Sequence, residues 1–327
     1  MRAFVITGPG AAAVQDVGEP VAGPGDVVVA VERAGVCGTD AEFYSGHMTY
    51  LHTGQAAYPV RIGHEWCGTV ASVGVGVDPG WVGKRVTGDT MLGCGHCARC
   101  LGGRQHLCAD RFEIGIRNGF PGALAQLMAV PVRSLFVLPD SVDATLGALV
   151  EPGANALRAV RAADLAPGQR VLVAGPGTIG LLAAMIAEAQ GAEVHLLGEH
   201  GSDRVWTADD LPDLRWDAVI DASTGTGVPA RAVDLVEPGG RVVFIGIAAH
   251  PSPVDSRALV LKDVTATGVL SGSGGLAGTI KLYASGAVDP RPLVAATVGL
   301  ADAATVLSGQ RLPGWGTGPK IHIDPRE

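Results

Sequence analysis

Gly168 to Glu199 reads GQRVLVAGPGTIGLLAAMIAEAQGAEVHLLGE, and the order of its segments decides the fold of the surrounding chain. Arg170 to Ala174 is an apolar, β-branched run that predicts a strand. Gly175-Pro176-Gly177-Thr178-Ile179-Gly180 is a G-x-G-x-x-G turn, and Leu181 to Gln190, rich in Ala and Leu, predicts a helix. Backbone N–H groups at such a helix start approach a pyrophosphate closely, and the helix dipole favours its charge. A second strand, Glu193 to Leu197, leads to Glu199, about twenty residues beyond the turn, where an acid grips an adenosine ribose. A lone glycine turn is weak evidence in a chain with 48 glycines, but strand, helix and acid in register make a dinucleotide site.

Working outward, 327 residues accommodate two domains. With 47% hydrophobic and 17% charged residues, the composition is that of a soluble globular protein. The net charge of -8 and the lack of a basic run argue against nucleic acid as partner. The opening MRAFVITGPG is too short in apolar residues for a signal peptide, and no segment reaches the length of a membrane span, so a cytoplasmic protein is expected. In that reducing compartment the six cysteines, 37, 67, 94, 97, 100 and 108, read as thiolates for metal more than as disulfides.

Residues 94 to 108 give C-x2-C-x2-C-x7-C, four thiolates (Cys94, Cys97, Cys100, Cys108) able to close a tetrahedron around a structural Zn²⁺. His96 and His106 in this loop read as solvent-facing bystanders. Upstream, Cys37, His64 and Glu65 offer a thiolate, an imidazole and a carboxylate, the donors of open catalytic zinc sites, although the spacing alone does not prove a site. Glu151, a charge amid apolar neighbours, is either a further ligand or a solvated turn residue. Cys67, within an apolar strand, reads as a small buried residue. The rest continues an α/β rhythm: strands at Trp216 to Asp221, Arg241 to Ile247 and Val264 to Leu270, helices at Ala230 to Val236 and Ala277 to Ser285, and a β-like tail with Lys320 to Ile323. A helical run begins near Asp143, and Tyr44 to Arg61 reads as a polar and aromatic loop.

Taken together, Gly-Val-Cys37-Gly-Thr39-Asp40, Gly63-His64-Glu65, the four-cysteine loop, Glu151-Pro152 and Gly175 to Gly180 resemble, in order, the zinc-containing medium-chain dehydrogenase/reductase family. The resemblance implies an α/β protein: a β-rich GroES-like catalytic domain over residues 1–155 and 288–327, and a Rossmann domain with a doubly wound parallel sheet over 156–287. It implies one catalytic and one structural zinc, and contacts to the dinucleotide from Gly175, Pro176, Gly177, Thr178, Ile179, Gly180, Glu199, Ser223, Thr224 and Ile247. Within the family the chain looks most like polyol and sugar dehydrogenases of the glucose type. Glu113-Ile-Gly-Ile is similar to an E-x-G-I segment whose carboxylate contacts sugar hydroxyls, and Asn155 stands where such members carry an acid, a departure from the glucose pattern.

The expected reaction interconverts a secondary alcohol, polyol or sugar hydroxyl with its carbonyl, using zinc held by Cys37, His64 and Glu151, with Glu65 a fourth ligand or a neighbour. By resemblance Thr39 takes the first proton; Glu42 either passes it onward or is a solvated acid, and His47 and His52 are loop surface. Glu199 favours NAD by repelling a 2′-phosphate, whereas His200, Ser202 and Arg204 would attract the NADP form; the short passage from Glu199 to Asp221 abbreviates the adenine side. The resemblance also implies a homodimer or homotetramer joined at the Rossmann sheet edge, near Arg241 to Ile247. Two competing readings are a catalytically idle zinc- and NAD(H)-binding redox sensor and a zinc-free enone or quinone reductase; intact ligand and relay residues disfavour both.

Overall fold

The computed structural model describes every residue except Asp203. Its contacts divide into two compact units, one of Met1–Glu151, Ile280–Ala284 and Asp289–Glu327, the other of Pro152–Thr279 and Ser285–Val288.

The second unit is built on six parallel strands: Arg170–Ala174, Glu193–Leu197, Val205–Trp206, Trp216–Asp221, Val236–Phe244 and Thr265–Gly268. Numbered along the chain, they lie in the order 3-2-1-4-5-6, the doubly wound Rossmann arrangement. The first strand is flanked on both sides and covered on both faces, so Val171, Leu172 and Val173 are fully buried, as an uninterrupted apolar run requires. The helix Thr178–Ala189 follows it, burying Leu182, Ala183 and Ile186. The short passage after Glu199 has its counterpart here: the third strand has two residues, and no helix occurs between the second and fourth strands among the described residues.

Val236–Phe244, which contains most of the strand placed at the sheet edge, pairs with Trp216–Asp221 on one side and Thr265–Gly268 on the other. The edge is therefore Thr265–Gly268, and Ile247 lies past the strand end, 76% exposed. The helix expected from Asp143 is two helices, Ala144–Ala148 and Val150–Ala163. Asp143 caps the first by accepting from the Leu146 N–H at 2.9 Å. Pro152 lacks the N–H that would return to the Ala148 carbonyl, so the turn is broken there and the second helix starts afresh.

In the first unit, a seven-stranded sheet carries Val294–Gly299, Lys320–Asp324, Asp26–Gly35, Glu65–Val73, Arg85–Gly88 and Leu135–Val137 in that order, with Leu127–Pro131 also paired to Asp26–Gly35. The C-terminal strand lies parallel to one neighbour and antiparallel to the other, so residues near the end of the chain complete the sheet begun near its start. Phe4, Val29, Trp66, Leu124 and Ile323 pack in its core. Gly35 and Glu65 face each other across the central pair, which sets Cys37, just past one strand, beside the start of the next. The Tyr44 to Arg61 stretch, expected as loop, contains the helical turn Thr49–His52, because Tyr50 and Leu51 have core to pack against.

Candidate active site

A single buried carboxylate assembles the first group. Asp40, fully buried, accepts from the Cys37 N–H at 2.9 Å through one oxygen and from the Gly63 N–H at 3.1 Å through the other. Two segments distant in sequence are thereby fastened side by side, and Cys37 becomes the N-cap of the helix Gly38–Ser45. His64 Nδ1 lies 3.6 Å from Asp40, a charge contact too long for a good hydrogen bond. Burial opposes protonation of this imidazole, but Asp40 and Cys37 outweigh it and hold its pKa well above the ordinary value. One donor atom each from Cys37, His64 and Glu65 lies within 4.8 Å of the others. Cys37 and His64, a thiolate and an imidazole side by side, suit zinc, so these two residues fit the implied ion.

Glu65 is buried with an unexpected partner. Lys320 Nζ donates to its two oxygens at 2.8 and 2.6 Å and to the Val36 carbonyl at 2.8 Å. Both side chains are almost wholly buried. Burial pulls the lysine pKa down, yet the Glu65 charge, with Cys37 and Asp40 behind it, leaves it above the usual lysine value. Glu151 is buried in the first turn of Val150–Ala163 and stands outside the three-residue group. Thr39 is half-buried in the first turn after Cys37. Glu42 is exposed, its carboxyl raised by partial burial against the opposing pull of His47. His47 is exposed loop surface, as expected; His52 is exposed too, but it ends the helical turn Thr49–His52 and is not in a loop.

Cys94, Cys97, Cys100 and Cys108 form a second group, all donors within 4.8 Å. The sulfurs of Cys94 and Cys100 are 3.9 Å apart and those of Cys97 and Cys108 3.8 Å. Four sulfurs at about 2.3 Å from a central Zn²⁺ would stand about 3.8 Å apart, so the loop is already shaped for the ion. Backbone N–H groups of His96 and Cys97 bring the Cys94 thiol down to about 6, toward the thiolate a metal needs. His96 is exposed, but His106 is buried, 7% exposed, and is not the solvent-facing bystander expected. The one-turn helix Gln105–Leu107 folds it inward. Cys67 is buried and donates to the Ala144 carbonyl at 3.2 Å, a structural thiol.

The glycine turn divides three tasks among its glycines. Gly175 has φ 91°, and a Cβ there would meet the Ser223 backbone at 2.8 Å. A Cβ on Gly180 would overlap the Gly175 carbonyl oxygen, so this glycine lets helix pack on strand. At Gly177, the N-cap of the helix, an added Cβ meets nothing within 4 Å. That open space belongs to a cavity of about 730 Å³ lined by Gly175, Pro176, Gly177, Glu199, Ser223 and Thr224, large enough for much of a dinucleotide. His200, Asp209 and Arg231 line it as well, whereas Thr178, Ile179, Gly180 and Ile247 are not among its lining residues. Arg204 is drawn away to Glu188 at 2.6 Å.

Residues 23–140 match the family model of the alcohol dehydrogenase GroES-like domain. The chain is 30% identical over 275 residues to an L-threonine 3-dehydrogenase of Idiomarina loihiensis, covering 78% of this chain and 79% of that one. The chain belongs to the zinc-containing medium-chain dehydrogenase/reductase family. Among solved structures, a zinc-binding dehydrogenase of Sinorhizobium meliloti 1021 bound to NADP superposes with a TM-score of 0.88 at 27% identity, over 99% of both chains. The alcohol dehydrogenase of Thermus sp. ATN1 gives 0.87 at 26%, again over 99% of both.

As a medium-chain dehydrogenase, the protein is an oxidoreductase acting on CH–OH donors, which sets aside the idle sensor. No helix among the described residues is long and apolar enough to cross a membrane. Each unit also contains groups that the motifs did not single out: in the first, Asp40 as the fastening between Cys37 and Gly63 and Lys320 on Glu65; in the second, Arg231 at the nucleotide cavity. Asp40 stood inside a quoted motif without a role. Lys320 carried no signal beyond being a lone cation in an apolar strand.

Proposed function

We infer that the protein oxidises the secondary hydroxyl of a small polar substrate to a carbonyl, or runs the reverse reduction, with NAD as hydride acceptor. The observation that carries this reading is the joining of Cys37 and His64 through Asp40 into a metal-ligating group. Zinc there would be held by Cys37, His64 and Glu151 and would supply a Lewis acid that polarises the substrate oxygen. Thr39, two residues beyond Cys37, takes the hydroxyl proton, and Glu42 on the exposed side of the same helix passes it to solvent. Glu65, engaged by Lys320 through both oxygens, acts as a fixed negative charge beside the site and not as a ligand.

In the second unit, Gly177 leaves the pyrophosphate its approach and Glu199 takes the ribose hydroxyls. NAD is preferred to NADP because Glu199 and Asp209 both line this cavity, while its Arg231 donates to the Ala208 carbonyl at 2.9 Å and Arg204 is occupied by Glu188. Polyols and sugars fit the reaction, as does a 3-hydroxy amino acid of the kind named for the threonine dehydrogenase relatives. A cytoplasmic setting belongs to the same reading, since a four-thiolate loop persists in reducing surroundings.

A second copy would add along the exposed edge Thr265–Gly268, where Val260 and Leu261 are also uncovered. Sedimentation showing only the 33.2 kDa species would remove that assembly. The function itself is tested by supplying zinc-loaded protein with secondary alcohols and either nucleotide: reduction of the nucleotide supports it, and its absence across polyols, sugars and hydroxy acids refutes it.

A further inference from the structure

The Glu113 carboxylate of the E-x-G-I segment is engaged through one oxygen. Glu113 is buried, its side chain 4% exposed, and accepts from Arg111 Nε at 2.8 Å and from the Tyr50 hydroxyl at 3.3 Å. Arg117, four residues on, has its NH1 3.9 Å from the same oxygen, beyond hydrogen-bond reach. Its guanidinium stacks over the Tyr50 ring, 5.6 Å from the centroid. The Arg117 side chain is only 13% exposed, and its Nε is buried with no hydrogen-bond partner among the described residues. Two guanidiniums therefore share one carboxylate, leaving a surplus positive charge largely withdrawn from water. A guanidinium so placed is costly unless an anion answers it.

The cluster adjoins the metal-ligating group through backbone contacts. A Cβ on Gly115 would meet the Gly63 backbone at 2.8 Å, one residue from His64. The Ile114 N–H donates to the Thr90 carbonyl at 3.0 Å, and the Thr90 hydroxyl donates to the His64 carbonyl at 3.2 Å. Tyr50 comes from the helical turn that follows the helix bearing Thr39.

We propose that Arg117, with Arg111 behind it, receives an anionic group of the substrate, so that the preferred alcohol carries a carboxylate or a phosphate ester. This rests on the dehydrogenase reading above and narrows its substrate class. Arg presents a planar fork of donors that matches either oxyanion. Glu113 then fixes Arg111 through its Oε1.

The test uses zinc-loaded holoenzyme and two matched pairs: a polyol with its monophosphate ester, and a secondary alcohol with the 3-hydroxycarboxylate of equal chain length. The anionic member of at least one pair is expected to show kcat/KM higher by about tenfold or more. Preference for the ester identifies a phosphate site, and preference for the acid a carboxylate site. Arg117→Met should collapse that ratio, mainly through KM, while Arg117→Lys keeps part of it because charge remains without the fork. Oxidation of neutral members with no anionic preference, or a preference that Arg117→Met retains, overturns the proposal and leaves the dehydrogenase reading intact. Turnover of none of the four compounds removes that reading and this proposal with it.

Discussion

Lys320 and Glu65 form a two-point ion pair, 2.8 and 2.6 Å, that is sealed inside the first unit beside Cys37. Its partners lie 255 residues apart in sequence, so the pair ties the C-terminal strand to the segment carrying His64.

Breaking this pair from one side leaves a buried charge unanswered. Lys320→Met should lower unfolding free energy by about 3–5 kcal/mol, read by denaturant titration. Adding Glu65→Gln to that variant should recover part of the loss, whereas additive losses would show that the two side chains act independently. Since the folded lysine pKa lies above the usual 10.5, its stabilisation is present in full at neutral pH and fades only as pH rises through the higher folded value.

His322 gives a pH dependence of opposite sense. It is fully buried between Lys320 and Asp324 on the C-terminal strand, and burial, helped by Lys320 and Arg33, pushes its pKa down to about 3. The unfolded chain binds a proton near 6.5 that the folded chain refuses, so stability falls as pH drops below that value. Between about pH 7 and pH 5 the loss from this residue should be about 2 kcal/mol. His322→Leu should flatten the stability profile over that interval; an unchanged slope would contradict a neutral native imidazole.

The glycine turn separates folding from binding. Gly177→Ala adds a Cβ into open space at φ -81°, an ordinary backbone angle, so the melting temperature should hold while nucleotide Kd rises by about tenfold or more. Gly180→Ala drives its Cβ into the Gly175 carbonyl and should destabilise the second unit instead. Calorimetry of both variants, with and without nucleotide, distinguishes these effects.

Metal analysis should find two zincs per chain. Cys97→Ser should reduce this to one and lower the melting temperature, because a structural zinc contributes directly to folding. A variant that keeps both ions would show that the four sulfurs, all within 4.8 Å of one another, do not hold one.

Much of this is legible in the sequence, and for a physical reason. The glycine turn, the four-cysteine loop and the Cys37 and His64 motifs are short, and local spacing fixes their geometry. Parallel strands such as Val171 to Val173, buried on both faces, announce themselves as apolar runs. What depends on long-range register was not readable. Lys320 meets Glu65 only because the last strand inserts beside Asp26–Gly35. Arg241 to Ile247 looked like an edge because nothing in its own residues reveals that Thr265–Gly268 pairs outside it. His106 turns inward through the fold of its loop, and the Arg117 guanidinium comes to lie over Tyr50, 3.9 Å from Glu113, through a tight turn that a motif does not describe.

Direct transfer of hydride is the central claim, and isotope labelling tests it most directly. Zinc-loaded protein is given NAD and a secondary alcohol deuterated at the carbinol carbon. The account predicts that deuterium appears on the reduced nicotinamide ring, at a rate that vanishes when zinc is removed and returns when it is restored. Reduced nucleotide without deuterium, or labelled nucleotide formed equally well without zinc, would contradict it.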